Sequence, residues 1–291
     1  MQGLGAATVI EISDDLDDDR YLEYWQFKDQ LNFLQPYSKM QAFSLFLGMT
    51  GFRPIECCRA TIQHLLFDDR ACPMVQNVIT KVKPRHFYDK AGRLLTIIRT
   101  KRKKRVIPLW VRDYFEEYIR RNWQLMAGGY LFPDGRGGHM KSRTMVVLFD
   151  KLRKRMIKAD SVKYSWVMDA VGWTFTGGKA VSIHRLSMYA FRKSRATWYA
   201  MACLEKGIPD VLLCTAQFMG HGPRSIHHTY RYVKRLIAER VDGAVIPLKA
   251  PDLNENFLGV ENPATEIDRI VGLLSQSPKL RKMVAELLSR R

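Results

Sequence analysis

The chain has 291 residues, 46% of them hydrophobic, which suffices for one large domain or two modest ones with a real core. Lys and Arg outnumber Asp and Glu by 47 to 29, and the net charge of +18 favours a polyanionic partner over the bland alternatives of plain solubility or an acidic membrane. Five cysteines (Cys57, Cys58, Cys72, Cys203, Cys214), odd in number and without a C-x-x-C pair, argue against a disulfide framework and a structural zinc; with no signal segment and no run of eighteen apolar residues, a reducing, intracellular home is expected.

Residues 1–20 read as a tail in which Asp14, Asp15, Asp17, Asp18 and Asp19 form a solvated like-charge block, with folding over a basic groove as a DNA mimic the rarer alternative. The spacing of Met40, Phe43 and Leu47 predicts a helix over 38–49 capped by Ser38, and Pro54 suits the first turn of the next one. Apolar β-branched runs at 75–82, 94–98 and 106–109 predict a small antiparallel sheet, its first two strands divided by Asp89-Lys90-Ala91-Gly92. Helices are expected at about 111–126, 141–158, 187–206, 208–218 and 224–240, with a glycine-bearing loop or hairpin at 159–181. Beyond Pro247 and Pro251 a linker leads to two helices opened by Asn262-Pro263 and Ser277-Pro278, each with an apolar face. The expected division is an acidic tail (1–20), a main domain (21–246), and a linker with C-terminal helices (247–291).

Four segments can carry chemistry. In Gly51-Phe52-Arg53-Pro54-Ile55-Glu56, an Arg at a helix start aims a planar fork at a phosphate and a Glu one turn on braces it; alone, a surface ion pair is the commoner reading. Six cations among residues 99–105 form a basic finger suited to a groove or to protonating a leaving oxygen, or a plain solvated charge run. Tyr189 and Arg192 share a helix face, where a buried Tyr–Arg pair is the ordinary explanation. His221 follows Gly220 at a helix end, poised for hydrogen bonding or proton transfer, and Tyr232 lies on a later helix; the adjacent His227 and His228 are not spaced for one metal.

Taken in order, these segments resemble the tyrosine recombinase (phage integrase) family over roughly residues 36–240. That family carries an Arg in a G-x-R-x-x-E context, a hairpin Lys, H-x-x-R in a helix, G-H, and a final Tyr in a T-x-x-Y setting; Tyr130-Leu131-Phe132-Pro133 also looks like its connector. The resemblance implies a mainly α catalytic-domain fold with a small antiparallel β-sheet, and DNA strand transfer through a 3′-phosphotyrosyl ester without metal or nucleotide cofactor. It assigns Arg53 and Arg192 to the phosphate, Lys101 to the leaving oxygen with Lys103 as rival, and His221 to the phosphate or the tyrosine proton. Tyr189 stands where the family has its first His. Tyr232 is the nucleophile by local match, and Tyr230 by counting from His221. DNA contacts are expected from Arg99, Arg102, Lys103, Lys104, Arg105, Lys141, Arg143 and Arg195. The implied partners are double-stranded DNA and further copies of the chain, as a tetramer on DNA, with no membrane and a nucleoid-associated or host-cell location. Such enzymes generally carry a separate helical domain before the catalytic one, so this chain is expected to be a minimal enzyme or a fragment. A type IB topoisomerase and a DNA-binding relative that no longer cuts are the competing readings.

Overall fold

A computed structural model describes residues 21–66, 73–76, 85–88, 91–97, 104–176, 179–221, 229, 236 and 249–259. Its centre is a helix with no outward face. Lys39–Thr50 (α2) is buried continuously from Gln41 to Thr50, because its run of Phe, Leu, Gly and Met is apolar all round. Ser38 caps it as expected, its hydroxyl accepting from the Gln41 N–H at 3.3 Å. The rings of Phe115 and Phe132 meet Phe46 edge-on at 5.7 and 5.6 Å.

Around α2 pack Tyr24–Phe33 (α1), Pro54–Cys58 (α3), Leu109–Asn122 (α4) and Met188–Glu205 (α6), with Ser142–Ala159 (α5) against α3 and α6 and Val211–Met219 (α7) against α6. The expected helices at 38–49, 111–126, 141–158 and 187–206 are therefore present, and Pro54 opens α3. α1 was not legible: Gln26 and Gln30 are buried on a helix whose polar and aromatic residues alternate without a clear apolar stripe. α7 starts three residues later than expected, after Pro209 and an Asp210 held at φ 53°. Of the expected helix at 224–240, Thr229 and Leu236 are described, and both are helical.

Among the described residues, seven short strands give a mainly α fold with small antiparallel sheets, the expected class. Leu65–Leu66 (β1), Met74–Gln76 (β2) and Lys104–Val106 (β5) form one sheet with Val75 opposite Arg105; Arg85–Tyr88 (β3) and Leu94–Ile97 (β4) pair separately. Residues 77–84 and 98–103, between the two sets of paired strands, lie outside the described residues, and the strand expected at 106–109 is found at Lys104–Val106. The strand ends at Val106, because Pro108 has no N–H to continue a ladder and instead caps α4. The segment 159–181 resolves into turns and a hairpin, Ala170–Thr176 (β6) with Lys179–His184 (β7). The tail 1–20 and the C-terminal helices expected beyond Pro263 lie outside the described residues.

Residues 249–259 lie across α1 and α4. The Trp110 indole donates to the Leu253 carbonyl (2.9 Å), the Tyr24 hydroxyl to the Asp252 carbonyl (3.0 Å), and Lys28 pairs with Glu255 at 2.7 Å. Phe257 meets Phe27 and Trp110 edge-on at 6.0 and 5.2 Å. Phe27 is thus enclosed by Phe257, Trp198 and Phe191, and it presses on α2 where Gly48 supplies the room. A Cβ on Gly48 would sit 2.4 Å from the Phe27 ring. Gly48→Ala is accordingly expected to destabilise the protein by about 1–3 kcal/mol through overpacking, since the ring has nowhere to go. Denaturant unfolding measures it, and an unchanged midpoint would contradict the packing described.

Candidate active site at two helix C-termini

A helix leaves its last carbonyls without intrahelical donors, and its C-terminus carries a partial negative charge. At the end of α2, Gly51 takes the left-handed conformation (φ 62°) and turns the chain out, with Thr50 tying the turn through its hydroxyl to the Phe46 carbonyl. Three arginines from distant parts of the sequence reach these buried carbonyls, which lack intrahelical donors. Arg195 Nε donates to the Met49 carbonyl at 2.9 Å, Arg105 Nε to that of Thr50 at 3.1 Å, and Arg192 Nη1 to that of Gly51 at 2.5 Å. A Cβ on Gly51 would lie 3.0 Å from Arg195 Cγ, so glycine serves there both for its φ and for the approach of the side chain.

Arg192 also bridges to a second helix end. Its Nη2 donates to the Met219 carbonyl at 3.0 Å, the last residue of α7, where Gly220 again sits in the left-handed region (φ 68°). The His221 N–H returns to the Ala216 carbonyl at 2.8 Å, and this reversal carries the imidazole to Arg192. His221 Nε2 lies 3.1 Å from Arg192 Nη2. Arginine only donates, so Nε2 must accept; the imidazole proton is then on Nδ1, facing the hydroxyl of the fully buried Thr229 at 2.7 Å.

Two residues beyond Gly51, Arg53 caps α3. Its N–H donates to Glu56 Oε2 at 2.8 Å and its Nη1 pairs with Oε1 at 3.0 Å. Glu56 is wholly buried while 38% of the Arg53 side chain is exposed, so the carboxylate braces the fork and leaves part of it open to a ligand. Burial, followed by the neighbouring charge of Arg192, lowers Arg105 to about 10, and Glu56 opposes the shift. Burial, then the charge of Arg105, lowers Arg195 likewise to about 10. Both stay protonated at neutral pH. The result is a concentration of four guanidinium groups from three segments, braced by one buried carboxylate, and it suits an anion.

Of the expected site residues, Arg192 and His221 are in contact, and Arg53 follows two residues after Gly51, whose carbonyl Arg192 holds. Other positions differ. Tyr189 is 67% exposed near the start of α6, whereas Arg192 is only 2% exposed, so sharing a helix face does not give them a shared environment. Of the expected DNA contacts, Arg105 is 8% exposed and Arg195 half-buried, and both donate to backbone carbonyls beneath the site. Lys104, Lys141 and Arg143 are exposed. Arg99, Lys101, Arg102, Lys103, Tyr230 and Tyr232 lie outside the described residues. The partnership of Thr229 with His221 was missed, although the T-x-x-Y match had drawn attention to the residue for another reason.

No family model and no curated protein matches the chain. Among solved structures it is similar to XerA recombinase (17% identity, TM-score 0.45, 76% of this chain and 64% of that one). It is similar also to XerH site-specific recombinase bound to a palindromic difH substrate in a post-cleavage complex (14%, TM-score 0.46, 84% and 57%). A third is the Tn1549 transposon integrase in complex with circular intermediate DNA (17%, TM-score 0.44, 76% and 64%). The chain thus spans less than two thirds of each of these proteins.

The geometry makes the His221 tautomer checkable. Long-range proton–nitrogen NMR spectra should show a protonated Nδ1 and an unprotonated Nε2, and Thr229→Val, which removes the acceptor, should shift the population toward the other tautomer. A protonated Nε2 in the unmodified neutral protein would overturn the hydrogen-bond assignment.

Proposed function

We propose that the chain is a DNA strand transferase of the tyrosine recombinase type, a site-specific recombinase or integrase that breaks and rejoins strands through a 3′-phosphotyrosyl intermediate. The observation that carries this reading is Arg192 fixed between the Gly51 and Met219 carbonyls with His221 at its tip and Arg53 two residues past Gly51. These are the residues the ordered motifs single out for a scissile phosphate.

In the proposed reaction the tyrosine hydroxyl gives up its proton, with the His221 Nε2 lone pair suited to help, and its oxygen attacks phosphorus. The bond to the 5′ oxygen breaks, and Lys101, or its rival Lys103, protonates the leaving oxygen. Arg53 and Arg192 donate to the non-bridging oxygens, whose charge grows in the transition state. Arg192 Nη2 already serves two acceptors, so an incoming phosphate oxygen competes with the Met219 carbonyl and His221 for that donor. A 5′ hydroxyl then attacks the phosphotyrosyl ester, restoring the phosphodiester and the free tyrosine. Thr229 lies against His221, so Tyr230 and Tyr232 both follow within three residues of the imidazole's partner. The substrate is double-stranded DNA, the working assembly a homotetramer on it, and the setting intracellular. That no helix among the described residues is long and apolar enough to cross a membrane is compatible with this.

A second reading has its own observations. Arg192 is almost wholly enclosed and Tyr189 is turned to solvent, which would suit a DNA-binding relative that no longer cuts.

Nicked suicide duplexes test both. The unmodified protein is expected to form a detergent-resistant covalent adduct that Tyr232→Phe abolishes with binding intact; loss in Tyr230→Phe instead would transfer the role to Tyr230. Arg53→Ala and Arg192→Ala should each slow adduct formation by about 10²-fold or more. DNA binding without any adduct would support the non-cleaving relative, and relaxation of supercoiled DNA by a monomer the topoisomerase. Binding should also weaken steeply with salt, with a slope of log affinity against log salt near about −5 if some six phosphates are neutralised. A slope near zero would remove nucleic acid as the partner.

A further inference from the structure

Arg105 is not used by the reaction as described, yet its environment is unusual for a structural arginine. It stands on β5, as the last cation of the basic run 99–105 that includes Lys101 and Lys103. Nε donates to the Thr50 carbonyl at 3.1 Å and Nη1 to the Lys104 carbonyl at 2.7 Å. The guanidinium lies 5.5 Å from the Phe52 ring centre and 4.2 Å from that of Phe218, so it joins the turn before Arg53 to α7. Its Nη2 is buried with no hydrogen-bond partner among the described residues. Arg192 lies close enough that its charge opposes that of Arg105. An apolar residue of similar volume would fill the slot between the two rings without an unpaired N–H and without this repulsion.

We propose that Arg105 is a positioning residue for strand cleavage: it holds the C-terminus of α2 in place for Arg53 and adds a buried positive charge beside Arg192, lowering the energy of the anionic transition state without touching it. This rests on the strand-transfer reading above. The repulsion between Arg105 and Arg192 in the free protein is relieved when a phosphate gathers negative charge at the site. The effect of Arg105 is therefore tied to the charge on the phosphate, whereas a purely structural bolt would act alike on any substrate.

The test uses the nicked duplex on which the unmodified protein forms its adduct, made with either a phosphate or an uncharged methylphosphonate at the scissile position. Arg105→Gln and Arg105→Lys are compared for adduct rate, DNA binding and melting temperature. Arg105→Gln should slow the reaction on phosphate by about tenfold or more and on methylphosphonate by less than about threefold. Arg105→Lys, which keeps the charge but loses the fork, should recover the phosphate reaction to within about threefold of the unmodified protein. Equal losses on both substrates in both variants would make Arg105 a structural bolt, and an undiminished rate in Arg105→Gln would remove it from the reaction; either result ends this inference alone. Failure of the unmodified protein to form any adduct would end the strand-transfer reading and this inference with it.

Discussion

The carbonyls of Met49, Thr50 and Gly51 each accept a hydrogen bond from a different arginine, and the candidate site depends on that arrangement. These groups are the unsatisfied end of a buried helix, where water cannot readily supply donors. Arg195 and Arg192 come from α6 and Arg105 from β5, so the helix end fixes the relative positions of a helix, a sheet and the turn leading to Arg53. Arg192 does this twice, since its other amino group holds the end of α7 and thereby the loop carrying His221. The two glycine caps are a requirement of the same design: Gly51 and Gly220 reverse the chain at φ 62° and 68°, leaving the carbonyls accessible and carrying the following residue into the site.

For the end of α2 to serve as such a reference, α2 itself must not move. The aromatic cage around Phe27 and the close approach at Gly48 lock α1 onto α2, and the strap at 249–259 closes over both. The Leu22 N–H donates to Ser194 at 2.6 Å, which ties the beginning of the described chain to the helix bearing Arg192 and Arg195. Two segments far apart in the sequence, α1 with the residues before it and the strap at 249–259, thus brace the helices that build the site, although neither carries a candidate catalytic group.

Electrostatically, the cluster is tolerable in the absence of a ligand because helix-end dipoles and the Glu56 carboxylate offset the guanidinium charges. The offset is incomplete, as the downward shifts of Arg105 and Arg195 indicate. A site built with surplus positive charge and partly unspent donors is suited to an anion. The surface lysines and arginines that make up the +18 net charge would draw a polyanion toward it over a longer range.

The sequence by itself determined the elements whose signals are local. Ser38 and Pro54 mark helix starts, Gly51 and Gly220 mark helix ends, and the Arg53–Glu56 brace follows from one turn of helix. The order of the motifs along the chain singles out Arg192 and His221, which the structure places 3.1 Å apart. Tertiary structure decided what depends on where segments meet. Arg105 and Arg195 belong to strongly basic stretches and read as surface cations, yet carbonyls from residues 55 and 146 positions away draw them inward. Tyr189 and Arg192 lie on one helical face in sequence, but only Arg192 finds two helix ends to fill its donors, so one is enclosed and the other exposed. The third strand ends at Val106 and does not run on to Leu109, because Pro108 cannot donate to a ladder and caps α4 instead, a competition between strand and helix that the apolar run alone does not decide. α1 has no legible apolar stripe because two of its buried positions are glutamines: Gln26 accepts from the Glu23 N–H at the helix start, and the Gln30 amide donates to Ser44 on α2, a contact with no trace in the periodicity of its own helix.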